Sequence, residues 1–344
     1  MKQNRRNTVE DVAREANVSV ATVSRVFNGT AKVREATERK VKEAARRLDY
    51  QPSRVARRLR VKSTDSLIIG LIVTDLANPF FSEIERGVED IAYKNNNAVM
   101  VCNSDEDEEK ERFYIETLLS ERVSGLIVAP TPGNEAYIQE LQDNGYPVVF
   151  VDRKPSYGNV DTVLIDNVSG AYSAIKRLLE LGHRRIGIIN GIPGITTTEE
   201  RFAGYKKALQ EYQIAPDPEL VTYGNSRQSG GMDNARKLLE LDNPPTAIFS
   251  TNNLMTLGVL EEMYNRGITI PDEIALIGFD DMPWAVALNP PLTAVKQPSY
   301  DLGTMATDLL LKRLEDPARS TSSIVLSPRL VIRKSCGSER RLAV

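Results

Sequence analysis

The sequence predicts an all-α N-terminal domain joined to a larger α/β domain that folds as two lobes, each built on a Rossmann-like parallel sheet. Three observations predict this architecture. Residues 1–62 are strongly basic, although the chain of 344 residues as a whole has a net charge of −3. The same segment contains short helices with recognisable caps. From about residue 66 onward, short apolar runs alternate with amphipathic helical stretches.

The charge is divided unevenly along the chain. Residues 1–62 contain 17 Lys/Arg and 7 Asp/Glu, whereas the remaining residues contain 27 and 40. A net charge of +10 at one end and −13 in the rest indicates a basic domain for a polyanion joined to an acidic body. A solvated basic tail is the alternative, but helix caps and apolar periodicity favour a folded domain.

The composition excludes several kinds of site. Two cysteines, Cys102 and Cys336, are too few for a disulfide framework or a four-ligand zinc site, and the single histidine, His183, rules out a multi-histidine metal centre. No run of 18 apolar residues is present, and the N-terminus lacks the apolar stretch of a signal peptide. We therefore expect a cytoplasmic protein without a metal, a cofactor or a membrane segment.

The basic segment is predicted to form three helices. Thr8 suits the N-cap of the first because acidic residues follow it, and Asn17 tolerates the left-handed conformation that ends a helix. Ser19 then caps a second helix that runs to about residue 27, and a third spans residues 35–49. Two short helices joined by a three-residue turn, with a third packed beneath them, form a helix-turn-helix domain.

In such a domain the second helix enters the major groove of DNA with its N-terminal side chains facing the base edges. The side chains at these positions are Val20, Ala21, Thr22, Ser24 and Arg25. Arg25 is suited to a bidentate contact with guanine, and Val20 and Ala21 are suited to apolar contacts with thymine methyl groups. The alternatives are a phosphate contact for Arg25 and core packing for Val20 and Ala21.

Residues 53–62 carry five basic side chains around a few apolar ones. A helix of this composition repels itself, so we expect it to form best against DNA phosphates. Leu59 would then wedge between base steps in the minor groove and kink the duplex. An ordinary charged linker is the alternative.

Several segments between residues 8 and 28 resemble the signature of the LacI/GalR family of bacterial repressors. They are Thr8-Val9-Glu10-Asp11-Val12-Ala13, Asn17-Val18-Ser19 and Ala21-Thr22-Val23-Ser24-Arg25-Val26-Phe27-Asn28. The resemblance implies a homodimer on a pseudo-palindromic double-stranded DNA operator with a central CG step. It also implies that Val20, Ala21 and Arg25 read bases and that Leu59 opens the minor groove. Asn17 and Arg34 depart from the family pattern, which has glycine and a capping serine there.

The expected DNA contacts form one set on the helix-turn-helix domain and the segment after it. They are Thr8, Ser19, Val20, Ala21, Thr22, Ser24, Arg25, Asn28, Arg54, Val55, Ala56 and Leu59.

Seven apolar runs predict strands of the α/β body. They span residues 67–73, 98–102, 125–129, 148–151, 185–189, 247–250 and 274–278. So many elements need two sheets, and a break near Asp166 and Asn167 is predicted to separate two lobes. A late strand at residues 293–296 and a helix at residues 301–314 are expected to return to the first lobe. The resemblance implies the architecture of periplasmic sugar-binding proteins.

The predicted organisation has four parts: a helix-turn-helix domain at residues 1–52, a hinge helix and linker at 53–65, an effector-binding and dimerisation domain at 66–337, and a tail at 338–344. Within the third part, the first lobe is expected at about residues 66–165 and 292–324. The second lobe is expected at about residues 166–291 and 325–337.

Polar and aromatic side chains follow the predicted strands at their carboxyl ends, where open parallel sheets bind ligands. The expected effector-binding residues are Asn78, Phe80, Phe81, Asp152, Arg153, Arg201, Asn252, Asp280 and Gln297. The four charged members cancel, which favours a neutral ligand. Carboxylate and guanidinium groups suit neighbouring hydroxyls, and the two rings suit the C–H faces of a sugar. The pattern therefore predicts a monosaccharide site.

Other roles stay open for single members of this set. The two phenylalanines would serve as core, Asp280 as a helix cap, and Asp152 with Arg153 as an ion pair. All nine residues resemble positions that hold the sugar in ribose-binding-type proteins, which implies a pentose- or hexose-sized polyol. Residues 225–227 replace an aromatic side chain common there, which would admit a larger hexose, a sugar acid or a disaccharide.

Enzymatic chemistries find little support in the sequence. No P-loop and no dinucleotide-binding glycine motif is present. His183 is expected to be structural, and the acidic run at residues 105–111 is expected to be a solvated helix start. We therefore assign no catalytic residues and no metal ligands, although an enzyme that carries a DNA-binding domain remains the least favoured alternative.

Two regulatory functions remain. The favoured one is a repressor whose operator affinity changes when a sugar binds between the lobes and alters the pairing of two hinge helices in the dimer. The other is a catabolite-control type of regulator driven by a protein corepressor, a subgroup that Val20-Ala21-Thr22 resembles. The sequence leaves open whether the sugar releases or tightens DNA binding.

Overall fold

The computed structural model describes residues 8–28, 33–50, 67–155 and 160–337, with the backbone alone for Asn28. The chain forms two compact units, residues 1–65 and 66–344. No helix in the described part of the chain is long and apolar enough to cross a membrane. The expected hinge at residues 53–65 and the tail at 338–344 lie outside the described residues.

The N-terminal unit contains the three predicted helices. They are α1 (Val9–Ala16), α2 (Val20–Asn28) and α3 (Glu35–Arg47). At the start of α1, the Asp11 carboxylate accepts hydrogen bonds from the backbone N–H and the hydroxyl of Thr8, both at 2.9 Å. Asn17 ends this helix in the left-handed conformation, with φ of 53°. The local signals at both ends of α1 therefore act as the sequence predicts.

A small apolar core holds these helices together. Val12, Val23 and Val41 come from the three different helices, and each is fully buried. Complete burial of such a side chain contributes roughly 1.5–3 kcal/mol. The side chain of Arg34 makes no capping hydrogen bond at the start of α3, as its departure from serine predicts.

The larger unit alternates strands and helices. Its strands are β1 (Ile68–Val73), β2 (Ala98–Asn103), β3 (Gly125–Val128), β4 (Val148–Val151), β5 (Asp161–Ile165), β6 (Ile186–Asn190), β7 (Val221–Tyr223), β8 (Ala247–Ser250), β9 (Ala275–Phe279), β10 (Thr293–Lys296), β11 (Ser323–Leu326) and β12 (Arg329–Val331). Its helices are α4 (Pro79–Lys94), α5 (Glu108–Ser120), α6 (Glu135–Asp143), α7 (Asn167–Glu180), α8 (Thr196–Glu211), α9 (Gln228–Leu239), α10 (Asn253–Asn265) and α11 (Ser299–Glu315).

These strands form two six-stranded sheets, one in each lobe. The order is β11-β5-β4-β3-β1-β2 in the first lobe and β12-β10-β9-β8-β6-β7 in the second. Among the described strands, all neighbours pair in parallel except β10 and β12. The two-lobed α/β architecture predicted from the alternation of elements is therefore confirmed.

The predicted lobe assignment of β10 is wrong. This strand pairs in parallel with β9 in the second lobe, with Ala294 opposite Gly278. Ala294 and Val295 are fully buried in the core of that lobe. A strand of four residues carries no local signal for its partner, so the sheet that buries its side chains decides where it lies.

The chain returns to the first lobe only with α11, and all of β11 belongs there too. The boundary expected at residue 324 therefore falls after Leu326, and β12 lies in the second lobe as expected. Gly87 and Gly303 allow α11 to pack closely on α4, because a Cβ added at Gly303 would lie 2.0 Å from the Ile84 carbonyl oxygen. This contact anchors the returning helix on the first lobe.

The seven predicted strands agree with the observed ones to within one residue at each end, whereas β5, β7, β11 and β12 were not predicted. β5 begins with Asp161, which is 1 % exposed and accepts hydrogen bonds from Arg313 at 3.1 Å and Arg319 at 3.2 Å. β11 is only partly buried. Neither segment has the continuous apolar pattern of a central parallel strand.

Candidate functional site

The predicted base-reading side chains lie on the exposed side of α2. Val20, Ala21 and Arg25 are exposed, whereas Val23 on the opposite side is fully buried. Val20 is 37 % exposed, so core packing does not explain an apolar residue at this position. Ser19 caps the helix by accepting a hydrogen bond from the Thr22 N–H at 3.1 Å.

Only some of the other expected DNA contacts lie among the described residues. Thr8, Thr22 and Ser24 are half-buried. Arg54, Val55, Ala56 and Leu59 lie outside the described residues, as does the side chain of Asn28.

A single cavity in the larger unit brings together all the expected effector-binding residues. Its wall includes Asn78, Phe80, Phe81, Asp152, Arg153, Arg201, Asn252, Asp280 and Gln297. The cavity has a volume of about 70 Å³ and lies between the two lobes. It meets the carboxyl ends of the strands in both sheets, as expected for parallel sheets.

Asn78 and the two phenylalanines form one wall. Asn78 is the N-cap of α4, where its Oδ1 accepts a hydrogen bond from the Phe80 N–H at 3.0 Å. The same oxygen accepts a hydrogen bond from Asn253 of the second lobe at 2.7 Å. The rings of Phe80 and Phe81 meet edge to face at 5.0 Å, and both belong to the core of the first lobe. The two rings therefore combine the core role with a position on the cavity wall.

Asp152 and Asp280 occupy equivalent positions in the two lobes. Asp152 follows β4 with φ of 70°, and Asp280 follows β9 with φ of 74°. In each case the backbone N–H donates a hydrogen bond to the neighbouring strand. The Asp152 N–H donates to the Val163 carbonyl at 3.0 Å, and the Asp280 N–H donates to the Val295 carbonyl at 2.9 Å. Left-handed backbone at a non-glycine residue is strained, and such strain is concentrated at functional sites.

Both carboxylates are buried in a cavity that disfavours their ionised forms. Burial raises the pKa of Asp152 to about 6, against the attraction of the Arg153 and Arg201 guanidinium groups. Burial also raises the pKa of Asp280, and the charge of Arg201 opposes this effect most strongly. Hydrogen bonds from ligand hydroxyls would restore part of the solvation that these carboxylates have lost.

Arg153 is held by a carboxylate that the sequence interpretation missed. Its guanidinium binds Glu106 in a bidentate pair, with Nη1 at 2.7 Å from Oε2 and Nη2 on Oε1. Nη1 also donates to the Pro130 carbonyl at 2.9 Å. The pair with Asp152, at 3.8 Å, is looser. Glu106 therefore neutralises Arg153, and the simple cancellation of four charges was incomplete.

Arg201 lies in the second turn of α8 rather than at its start. Its Nε donates to Asn167 at 2.9 Å, its Nη1 donates to the Thr251 carbonyl at 2.7 Å, and its guanidinium stacks on the Phe279 ring at 3.9 Å. Thr197 and Thr198 lie one turn before Arg201 and also line the cavity, because helical spacing places them on the same face.

Three buried atoms on the cavity wall have no hydrogen-bond partner among the described residues. They are Asp152 Oδ1, Gln297 Oε1 and Arg153 Nε. Gln297 uses its other polar atom, Nε2, to donate to Asp280 Oδ1. Two acceptors and one donor on these three side chains therefore lack a partner, and a hydroxyl group can pair with either kind.

The acidic run at residues 105–111, expected to be solvated, is partly internal. Glu106 lies on the cavity wall, and Glu111 is completely buried behind it. The sequence does not indicate which positions at the start of α5 are buried, because nearly every residue of the run is acidic. His183 lies outside the cavity wall, with Nδ1 at 2.9 Å from the Thr246 hydroxyl.

The two units match two families of protein domains. Residues 8–53 match the bacterial regulatory proteins of the lacI family, and residues 175–336 match a periplasmic binding protein-like domain. Together they define a class of DNA-binding transcriptional regulators in which a helix-turn-helix precedes a domain with the fold of a ligand-binding protein.

The chain is similar to curated relatives along almost its whole length. It is 35 % identical over 329 residues to the HTH-type transcriptional repressor PurR of Aliivibrio salmonicida, covering 95 % of this chain and 98 % of that protein. It is 37 % identical over 336 residues to catabolite control protein A of Priestia megaterium, with the same shares of both proteins. The chain therefore belongs to the LacI family of bacterial regulatory proteins.

Solved structures agree with this assignment. The Lac repressor dimer bound to operator and the anti-inducer ONPF has a TM-score of 0.82 and 30 % identity, over 96 % of this chain and 99 % of that one. A LacI family regulator from Enterococcus faecium with bound ribose has a TM-score of 0.71 and 32 % identity, over 78 % and 98 %. The protein is thus a DNA-binding transcriptional regulator, and its relatives are regulators rather than enzymes.

Proposed function

We propose that this protein is a cytoplasmic repressor of sugar-utilisation genes whose operator affinity changes when a monosaccharide-sized polyol binds between the lobes. The observation that carries the proposal is the set of unpartnered buried atoms on Asp152, Arg153 and Gln297. A buried polar atom without a partner costs about 1–3 kcal/mol. A ligand rich in hydroxyl groups removes this cost at all three atoms.

The size and charge of the cavity support a neutral sugar. The cavity has a volume of about 70 Å³, and so small a space favours a ligand of no more than one sugar ring. Arg153 is neutralised by Glu106, and Arg201 faces Asp152 and Asp280. The edges of Phe80 and Phe81 supply an apolar surface on the same wall. The Enterococcus faecium regulator with bound ribose contains a ligand of this class.

The DNA contacts follow from the exposed face of α2. We assign base contacts to Val20, Ala21 and Arg25, with supporting contacts from Thr8, Ser19, Thr22, Ser24 and Asn28. A hinge that includes Arg54, Val55, Ala56 and Leu59 completes the interface in the minor groove. A homodimer would place two such units on the halves of a pseudo-palindromic operator with a central CG step.

The two sites are coupled if the sugar favours one relative orientation of the lobes. Contacts that cross between the lobes include Asn78 with Asn253 at 2.7 Å and Asp105 with Arg227 at 4.0 Å. A sugar that bridges Asp152 and Asp280 adds to these contacts and stabilises the closed arrangement. The difference in its affinity for the two arrangements sets the limit of its effect on DNA binding.

The test begins with a thermal-shift screen of the full-length protein against pentoses, hexoses, sugar acids, disaccharides and sugar phosphates. A ligand at 100 times its dissociation constant adds about 2.7 kcal/mol of stability. Fluorescence anisotropy with an operator selected by the protein then measures the effect of each hit on DNA binding. A sugar that stabilises the protein and shifts operator affinity supports the proposal.

Two variants locate the effect in the cavity. Arg201→Ala and the isosteric Asp152→Asn are expected to abolish the sugar response while operator binding without sugar is retained. Lys207→Ala, exposed on the same helix as Arg201, is the matched control. Normal sugar affinity in both cavity variants would contradict the proposal.

A second candidate is regulation by a protein corepressor, which the similarity to catabolite control protein A favours. Regulation by a corepressor does not require a free sugar to change operator affinity. A blank result across the whole screen, together with a partner protein that raises operator affinity, would favour this function over the first.

A further inference from the structure

Glu106 lies on the wall of the effector cavity and binds the guanidinium group of Arg153 in a bidentate pair. The side chain of Arg153 is 7 % exposed and that of Glu106 is 22 % exposed. A buried guanidinium needs a counterion, because the loss of hydration makes an isolated charge costly. Glu106 supplies that counterion from within the protein, and the Nε atom of Arg153 is left without a hydrogen-bond partner among the described residues.

A strained turn between β2 and α5 places Glu106 at this position. The Asp107 N–H closes the turn by donating to the Ser104 carbonyl at 3.0 Å, and the Ser104 N–H donates to the Val73 carbonyl of β1 at 2.8 Å. The two central residues, Asp105 and Glu106, have left-handed backbone with φ of 57° and 62°. Glutamate rarely adopts this conformation. A costly backbone conformation at a cavity wall is typical of a functional position.

Each guanidinium group on the described wall of the cavity has a carboxylate near it. The three groups belong to Arg153, Arg201 and Arg227. Arg201 interacts with the charges of Asp280 and Asp152, and Arg227 lies 4.0 Å from Asp105. Asp152 also lies 3.8 Å from Arg153, but Arg201 shares its charge. Without Glu106, Arg153 would therefore keep only a shared and more distant counterion among the described residues.

We propose that Glu106 is the specificity determinant that makes the cavity select a neutral sugar over a sugar acid. Its carboxylate occupies the two Nη atoms of Arg153, which would otherwise bind the carboxylate of a sugar acid, and its negative charge repels that group. A neutral sugar avoids the repulsion, and one of its hydroxyl oxygens can accept a hydrogen bond from Arg153 Nε. The inference rests on the proposed function and adds the residue that sets the charge of the ligand.

The test compares a neutral sugar that binds in the thermal-shift screen with the acid formed by oxidising one of its carbon atoms to a carboxylate. Isothermal titration of the full-length wild type at pH 8 is expected to give an affinity for the acid at least about a hundredfold weaker, because like charges would meet in a buried site. Glu106→Gln keeps the shape of the side chain and removes its charge. We expect it to narrow this ratio at least about tenfold, through a gain in affinity for the acid.

Three further variants separate the charge of Glu106 from other effects. Glu106→Ser also leaves space for the carboxylate of the acid or for water, and it is expected to narrow the ratio as well. Glu109→Gln removes the same charge from an exposed position of α5 and is expected to leave the ratio within about twofold of the wild type, because exposed charges are screened. In Glu106→Gln combined with Arg153→Gln, the gain for the acid is expected to disappear because the guanidinium group is absent.

The outcomes distinguish this inference from the proposed function. Similar wild-type affinities for the neutral sugar and its acid would overturn the role of Glu106 without any variant. A ratio that stays unchanged in both Glu106→Gln and Glu106→Ser, or that narrows equally in Glu109→Gln, would overturn it too. In each of these cases a sugar still binds, so the proposed function stands. Failure of every sugar and sugar acid to bind would overturn the proposed function and the role of Glu106 with it.

Discussion

Replacement of Glu111 by glutamine is expected to change how the stability of the larger unit depends on pH. Glu111 is fully buried on α5, and one of its oxygens accepts a hydrogen bond from the Thr131 N–H at 2.8 Å. Its other oxygen has no hydrogen-bond partner among the described residues. Burial raises the pKa of this carboxyl to about 7, although the Thr131 and Asn134 hydrogen bonds and the charge of Arg153 act against it.

The sign follows from the raised pKa. Below about pH 4.5 the carboxyl is protonated in both the folded and the unfolded chain, so its raised pKa does not reduce the stability of the fold. As the pH rises toward 7, the unfolded chain ionises first and the folded state loses stability. Above pH 7 the full cost applies, and a rise from 4.5 to about 7 corresponds to about 3 kcal/mol. Glutamine keeps an acceptor for the Thr131 N–H but never carries this cost.

The assay is urea unfolding of the full-length wild type and Glu111→Gln at pH 4.5 and pH 8. The stability of the variant relative to the wild type should increase by about 3 kcal/mol between the two pH values. Contributions from Asp152, which act in the same direction, cancel in this comparison. Glu109→Gln, at an exposed position of the same helix, should show no such change. A constant difference between Glu111→Gln and wild type across the pH range would show that burial does not raise the pKa of Glu111.

Three further changes test the two proposed sites. Asp152→Asn should weaken sugar binding at least tenfold in calorimetry, because a hydrogen bond to a charged group contributes about 1.5–3 kcal/mol, and unchanged affinity would remove Asp152 from the site. Arg25→Ala should cost about 1–3 kcal/mol of operator affinity in anisotropy and far less on a scrambled duplex; equal losses would indicate a phosphate contact. Leu59→Ala should likewise weaken operator binding more than non-specific binding, and equal losses would make Leu59 part of a linker.

Local sequence signals were sufficient to predict the helices of the N-terminal unit. Thr8 with Asp11, Asn17 and Ser19 act on backbone groups within a few residues of themselves. Such interactions depend on spacing along the chain and little else. The helices therefore begin and end close to the predicted positions, and only α3 ends two residues early.

The candidate effector residues could also be found from the sequence, for a different reason. In a parallel sheet, the residues just beyond each strand share one edge, so recognition of the strands identifies the side chains that meet there. The nine expected residues therefore line one cavity. Their separate contacts were not predictable, because Arg153 meets Glu106 only when loops far apart in sequence are brought together.

Patterns within a few turns of chain were sufficient to predict the class of the fold, the helix-turn-helix unit and the residues that follow the strands. Long-range packing, in contrast, places β10 in the second lobe, makes Glu106 and Glu111 internal and leaves a second cavity beside the first. Strand pairing, burial of charge and the space between loops depend on which distant segments pack together, and a short polar or apolar run is compatible with several such neighbours.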